Sequence, residues 1–239
     1  MRLNSAFSDS KFRSFITKVL TFIGNLFSPP VCVICQCYSK QEICPDCMKL
    51  VIRAERDQNR SSGLFTYGDL YYYARYSGVI KELIRKYKFR GQMWLGKCIG
   101  NIMHDYYEDV FPNYDYIVYV PVTKESMRKR GFDQCYEIVS QISKKSGVPI
   151  IDVLEGNSVK GRQSRLRRGL RKENVTGRFV IKHDLTEAKL NAVKGSKVLI
   201  VDDILTTGST LRECAALLID ICGCRKVDAM VFATGRTDI

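Results

Sequence analysis

Proline, histidine and tryptophan are scarce in this chain of 239 residues, with six, two and one copies. With so little proline and 45% apolar residues, the chain has enough hydrophobic surface to build a core and is excluded from the disordered class. It lacks any apolar run of the roughly 18 residues that a membrane-crossing helix needs. The best stretch, residues 12–27, is interrupted by Lys18 and Asn25. It has no Gly-Lys Walker loop, no G-x-G-x-x-G fingerprint, no internal repeat and no low-complexity tract. Acidic residues are also few: 25 Asp and Glu stand against 38 Lys and Arg, for a net charge of +13. That imbalance suits an anionic partner, whether a nucleic acid, a phosphate-rich small molecule or an acidic membrane face, without choosing among them. The length fits one full domain with a small appendage.

Phe12, Phe15, Ile16, Val19, Leu20, Ile23, Leu26 and Phe27 recur at helical spacing, so residues 1–28 read as an amphipathic helix that packs on the protein or docks on a partner or a membrane surface. With Arg2, Lys11 and Arg13 before it, the stretch loosely imitates a signal peptide. It runs on, however, into Ser28-Pro29-Pro30-Val31 and a cysteine, with no small-residue cleavage pattern.

The ten cysteines fall into two populations. Cys32-Val-Ile-Cys35 and Cys44-Pro-Asp-Cys47 are two C-x-x-C knuckles whose spacing lets four thiolates converge on one structural Zn²⁺. Disulfides of a secreted protein and a redox dithiol are the rival readings, but a secreted chain needs a convincing signal and rarely leaves so many other cysteines unpaired. Cys37 is a surplus thiol that competes with Cys35 as a ligand. Cys98, Cys135, Cys214, Cys222 and Cys224 lie among apolar neighbours and read as small buried hydrophobes. The thiol chemistry points to the reducing cytoplasm.

Residues 29–60 form the knuckle and a linker, the polar stretch 53–63 ending in Asn59-Arg-Ser-Ser-Gly63, and the main domain is expected over 64–239. There, residues 67–76, 116–120, 198–201 and 226–232 read as strands. Residues 78–107, with a kink near Arg90-Gly91, 131–145 and 209–222 read as helices. Such alternation predicts an α/β fold, a parallel sheet with helices on both faces, whose ligands bind outside the carboxyl ends of the strands.

The most informative run is Val198-Leu-Ile-Val-Asp-Asp-Ile-Leu-Thr-Thr-Gly-Ser-Thr210. A buried strand delivers two adjacent carboxylates, and a loop of hydroxyls and glycine then opens a helix. Backbone N–H groups at a helix N-terminus make an anion site, and Gly208 permits close approach of a phosphate. Thr206, Thr207, Ser209 and Thr210 add hydroxyl donors. Asp202 and Asp203 repel a phosphate but accept from the vicinal hydroxyls of a sugar, with Mg²⁺ nearby. The order is that of a ribose 5-phosphate site.

This run closely resembles the phosphoribosyl-pyrophosphate (PRPP) signature of type I phosphoribosyltransferases. The resemblance implies that Asp202 and Asp203 hold the ribose hydroxyls and that Thr206, Thr207, Gly208, Ser209 and Thr210 hold the 5-phosphate. It implies a pyrophosphate loop after the strand at 116–120, where Lys124, Arg128 and Arg130 supply charge. It also implies a closing lid over residues 155–178, where Lys160, Arg162, Arg165, Arg167, Arg168, Arg171, Lys172 and Arg178 face only Glu155 and Glu173. A lid of this kind brings cations such as Arg165 and Arg171 to a leaving pyrophosphate; the plain alternative is a solvated basic surface.

From about Phe27 to Arg236 the pattern resembles the ComF family, phosphoribosyltransferase-like proteins linked to DNA uptake in competent bacteria. The shared elements are the paired knuckles, Tyr76-Ser-Gly with Lys88-Phe-Arg-Gly91, Pro121 with Arg130-Gly-Phe-Asp-Gln134, Gln163, Leu166, Arg171 and Asn174, and the phosphate signature. Asp133 stands where that family usually has Asn, and a carboxylate facing the pyrophosphate loop would weaken anion binding.

Three functions fit these features. The first is a PRPP or ribose 5-phosphate binder with Mg²⁺, with or without transfer of the pentosyl group to an acceptor. No general base stands out, since His104 and His183 are the only histidines and His104 falls on a helix. The second is a single-stranded-DNA binder using the basic stretches with Tyr71, Tyr72, Tyr73, Phe89 and Trp94, although core packing is the favoured reading of the tyrosines. The third is an adaptor that docks on DNA-processing proteins through its knuckle and N-terminal helix.

Overall fold

The computed structural model describes residues 30–55, 65–89, 91–157 and 177–236. The expected N-terminal helix over residues 1–28 lies outside this set, as do most of the lid and its Arg165 and Arg171. The chain divides into two compact units, Met1–Leu50 and Val51–Ile239.

In the smaller unit a tight turn carries Cys32 and Cys35, with Gln36 at φ +64°. The Cys32 N–H donates to the Cys37 carbonyl at 2.8 Å and the Val33 N–H to Glu42 at 2.8 Å. Helix α1 (Pro45–Lys49) comes next, capped by the Cys44 side chain and started by proline, so Cys47 is turned inward.

The larger unit is organised by a four-stranded sheet of β1 (Leu70–Arg75), β2 (Tyr116–Tyr119), β5 (Lys197–Leu205) and β6 (Lys226–Thr234), in the order β1-β6-β5-β2 with every pairing parallel. Val198, Leu199, Ile200 and Val201 are all fully buried, and successive strand residues point to opposite faces, so both faces of the sheet are covered. Helices α2 (Gly78–Phe89), α3 (Leu95–Tyr106) and α5 (Gln134–Ser146) serve one face, where Tyr71 packs edge-on against Tyr107 and Tyr73 stacks on Phe232. On the other, Val198, Ile200 and Val231 share a cluster with Leu211, Cys214 and Leu218 of α7 (Ser209–Ala216) and its continuing π-turn (Leu217–Ile221), and with Val193 of α6 (Glu187–Val193). Helices α3 and α5 approach closely because Gly96 and Gly100 face α5: a Cβ on Gly96 would come within 2.7 Å of the Glu137 Cβ, and one on Gly100 within 2.7 Å of the Ile138 carbonyl. Residues 52–54 run beside β1, with the Ala54 N–H donating to the Tyr73 carbonyl.

Three local features depart from the sequence expectation. The strand expected to stop at Val201 continues to Leu205, so both carboxylates lie within β5 rather than after it. The expected pyrophosphate loop is a helix, α4 (Lys124–Arg130): Thr123 accepts the Ser126 N–H as N-cap, Glu125 and Lys129 pair at 2.8 Å, and Gly131 closes it at φ +78°. The start and stop residues are there in the sequence, but seven residues without an apolar stripe show no periodicity. Finally, β3 (Leu154–Gly156) and β4 (Phe179–Ile181) form an antiparallel pair that brackets the basic segment.

Candidate functional site

The hydroxyl loop leaves β5 at Leu205 and turns at Gly208, whose φ of +73° is the left-handed conformation that glycine adopts without strain. Thr207 Oγ1 donates to Ser209 Oγ at 3.0 Å and accepts the Ser209 N–H, while Arg212 donates to the Thr207 carbonyl at 2.9 Å. The loop is thus held from below while Thr206, Thr207 and Ser209 remain exposed. The first-turn amides of α7 have no intrahelical acceptor and favour an anion. All five residues expected at a 5-phosphate are therefore brought together.

Arg178 joins them. Its guanidinium donates to Ser209 Oγ at 3.2 Å and to Thr210 Oγ1 at 3.1 Å. Glu213 steadies it, 3.5 Å from Nε, and accepts the Phe179 N–H at 3.0 Å. From sequence Arg178 counts only as lid charge. The one signal that it stands beside the hydroxyl loop is its place directly before the apolar Phe179-Val-Ile181.

The acidic pair lies at the carboxyl end of β5. Strand alternation sends Asp202 to the α7 face and Asp203 to the α2 face. Lys88, on the last turn of α2, donates to both oxygens of Asp203, at 2.8 and 2.7 Å. Asp202 accepts its neighbour's amide at 2.8 Å and the Cys135 thiol at 3.4 Å. Cys135, grouped from sequence with the inert buried cysteines, is indeed buried but stands at the site. One ligand atom from each of Cys135, Asp202 and Asp203 lies within 4.8 Å of the others. Such a donor set attracts a divalent cation, yet Lys88 already engages both oxygens of Asp203, so these residues do not fit a resident Mg²⁺. Tyr87 donates to the Gln134 carbonyl at 2.7 Å and so ties the end of α2 to the start of α5.

Of the expected pyrophosphate residues, Arg128 lies on α4, and Arg130 donates to Gln134 and lies with its guanidinium 5.7 Å from the Phe89 ring centre. Lys124 is the first residue of α4. The Asp133 carboxylate caps α5, accepting the Tyr136 N–H at 3.1 Å, and also accepts the Val122 N–H at 3.4 Å, on the segment that follows β2. His104 stacks on Phe111 and pairs with Asp105, away from these groups.

In the smaller unit the sulfurs of Cys32, Cys35, Cys44 and Cys47 lie within 4.8 Å of one another. A tetrahedral Zn²⁺ with bonds of about 2.3 Å places its sulfurs about 3.8 Å apart, so this set can hold a metal ion. The amides of Ile34 and Cys44 donate to Cys32 Sγ at 3.4 and 3.3 Å, and that of Cys47 to Cys44 Sγ at 3.4 Å. Burial opposes ionisation of Cys32, but these amide donors outweigh it and bring the thiol down to about 6. Cys37 is outside the group of four, exposed, with its sulfur 3.1 Å from that of Cys35.

Burial, followed by the charge of Asp203, pushes Asp202 up to about 7. The folded chain therefore keeps this proton up to about pH 7, while the unfolded chain releases it near 3.8. In that window the folded state binds more protons, so the group's contribution to stability falls as pH rises and then levels off. Asp202→Asn, which keeps the acceptor without the charge, is expected to stabilise the fold at pH 8 by about 1–3 kcal/mol, with no gain near pH 4. Urea unfolding at the two pH values checks this, and a variant less stable at pH 8 would refute it.

Residues 134–239 match the family model described as a phosphoribosyl transferase domain. The chain is 24% identical over 196 residues to competence protein ComFC of Bacillus subtilis, a match covering 80% of this chain and 72% of that protein. It is 26% identical over 222 residues to ComFC of Streptococcus pneumoniae, covering 84% and 88%, and 28% identical over 146 residues to competence protein F of Haemophilus influenzae, covering 57% and 60%. The parallel sheet, the acidic strand end running into the hydroxyl loop, the four-cysteine cluster and these relatives agree: the chain is similar to the ComF competence proteins and carries a phosphoribosyltransferase-type domain.

Proposed function

We propose that this protein binds PRPP or a related sugar 5-phosphate at the carboxyl end of β5 and acts in the handling of incoming DNA, as the names of its relatives suggest. The observation that carries the reading is the convergence of Arg178, the Thr206–Thr210 loop and the N-terminus of α7 next to the Asp202–Asp203 pair. In this reading the loop amides, hydroxyls and Arg178 take the 5-phosphate, and the carboxylates accept from the ribose hydroxyls. Mg²⁺ arrives on the pyrophosphate of PRPP as part of the ligand. Lys124, Arg128 and Arg130, with Arg165 and Arg171 of the basic segment, balance pyrophosphate charge. Such charge suits pentosyl transfer, in which the anomeric carbon forms a bond to the acceptor as its bond to pyrophosphate breaks and negative charge grows on the departing pyrophosphate. With no histidine at the site, positioning carries any transfer. Calorimetric titration with PRPP and Mg²⁺ is expected to give saturable binding that Arg178→Ala weakens about tenfold, as loss of a charge-assisted contact does. The Asp202→Asn, Asp203→Asn double variant should lose binding altogether; unchanged affinity in it would sink the reading.

The cysteine cluster is proposed to hold one structural Zn²⁺, which suits a reducing compartment such as the cytoplasm. Four thiolates leave no open position, so the ion braces the smaller unit and performs no chemistry. Elemental analysis of the purified chain should find about one zinc per molecule, lost in Cys32→Ser. Protein prepared under reducing conditions with no zinc would overturn this assignment.

Single-stranded DNA is a second reading, favoured by Phe89 and Trp94, which are 72% and 48% exposed, with the Arg130 guanidinium over the Phe89 ring. Tyr71, Tyr72 and Tyr73, offered from sequence as stacking residues, are buried in β1 and serve the core. Oligonucleotide affinity should fall steeply with salt and drop in the Phe89→Ala, Trp94→Ala double variant. Affinity indifferent to salt would reject it. Docking of the knuckle and the N-terminal segment on a DNA-processing protein stays compatible with both.

A further inference from the structure

The acidic pair already has a cation, supplied by the chain. Lys88 Nζ lies 2.8 and 2.7 Å from the two oxygens of Asp203, and the two side chains are only 16% and 8% exposed. A pair so withdrawn from water does not open cheaply, because parting it leaves a buried charge uncompensated. The ammonium sits on the last turn of α2, where the negative end of the helix dipole favours it. Its backbone is fixed by the adjacent Tyr87, whose hydroxyl bonds to Gln134 at the start of α5. Mg²⁺ dehydrates reluctantly and demands near-octahedral oxygen ligands, so it competes poorly with a charge that is preplaced and already dehydrated. An ammonium also carries three donors, of which Asp203 uses at most two, leaving one for a ligand oxygen.

We infer that Lys88 takes the place of a divalent cation at the acidic pair, so that a sugar phosphate without pyrophosphate is bound with no metal. The inference rests on the reading of this site as a sugar-phosphate site and narrows it: metal is needed only by a ligand that carries it in. Asp203, held by Lys88, keeps lone pairs for the ribose hydroxyls, and Asp202 supplies the second acceptor.

The full chain is titrated calorimetrically with ribose 5-phosphate in buffer freed of divalent cations and again with Mg²⁺ in excess. The same affinity, within about twofold, is expected in both. In Lys88→Met, affinity without metal should fall about tenfold or more and be partly restored by Mg²⁺, whereas Lys88→Arg should keep metal-independent binding. Mn²⁺ added without sugar, monitored by electron paramagnetic resonance, should remain free beside the unsubstituted protein and become bound in Lys88→Met. If the unsubstituted protein loses about tenfold or more in affinity when metal is removed, this inference is overturned and the sugar-phosphate reading stands. If ribose 5-phosphate binds in neither buffer, both are overturned. Should Lys88→Met not fold, the two titrations of the unsubstituted chain decide alone.

Discussion

Two carboxylates at the end of a strand that is otherwise apolar on both faces are the constraint around which the larger unit is arranged. A buried charge is tolerated only with a partner, and Asp203 finds one in Lys88, 115 positions away in the chain. To bring that ammonium within reach, α2 must end at the carboxyl edge of the sheet, and the Tyr87 bond to Gln134 holds it there. Asp202, which among the described residues has no cation of its own, holds its proton well above the ordinary carboxylate range because burial and then the charge of Asp203 outweigh the amide and thiol that donate to it. The site is thus kept at a cost in stability, a common pattern where function requires buried charge.

At the opposite end of the sheet a third strand carboxylate shows what a purely structural solution looks like. Asp228 is buried near the start of β6 and accepts the Asp69 N–H at 2.6 Å, the Tyr114 hydroxyl at 2.7 Å and the Lys226 ammonium at 3.0 Å. Gly68 passes so close that a Cβ there would meet the Asp228 carboxylate at 2.1 Å. Here every donor comes from the fold itself, and nothing is left for a ligand. The contrast with Asp202 agrees with the proposal that a ligand binds at the carboxyl end of the sheet.

Much of this is legible in the sequence. The knuckle spacing, the strand-to-loop run at 198–210 and the alternation of strands and helices carry strong local signals, because each depends on neighbours in the chain. Lys88, Cys135 and Arg178 are hidden for the complementary reason. Each acquires its role from a partner distant in sequence, and a lysine in a last helical turn or a cysteine among apolar residues has ordinary explanations. The tyrosines of β1 admit both a stacking surface and core packing by composition, with the core favoured, and their burial agrees with the core. Short elements, α4, α6 and the β3–β4 pair, escape because three to seven residues hold too little periodicity to register.

The β3–β4 pair has an evolutionary consequence. It brings both ends of the basic segment side by side, with the Asn157 N–H donating to the Arg178 carbonyl at 2.7 Å and the Asn157 side chain to the Gly177 carbonyl at 2.9 Å. Closing a longer loop costs little, about 0.6 kcal/mol for each doubling of its length. An insertion or deletion between Asn157 and Gly177 is therefore inexpensive in closure entropy, and the Arg178 contacts to Ser209 and Thr210 start at the anchored end.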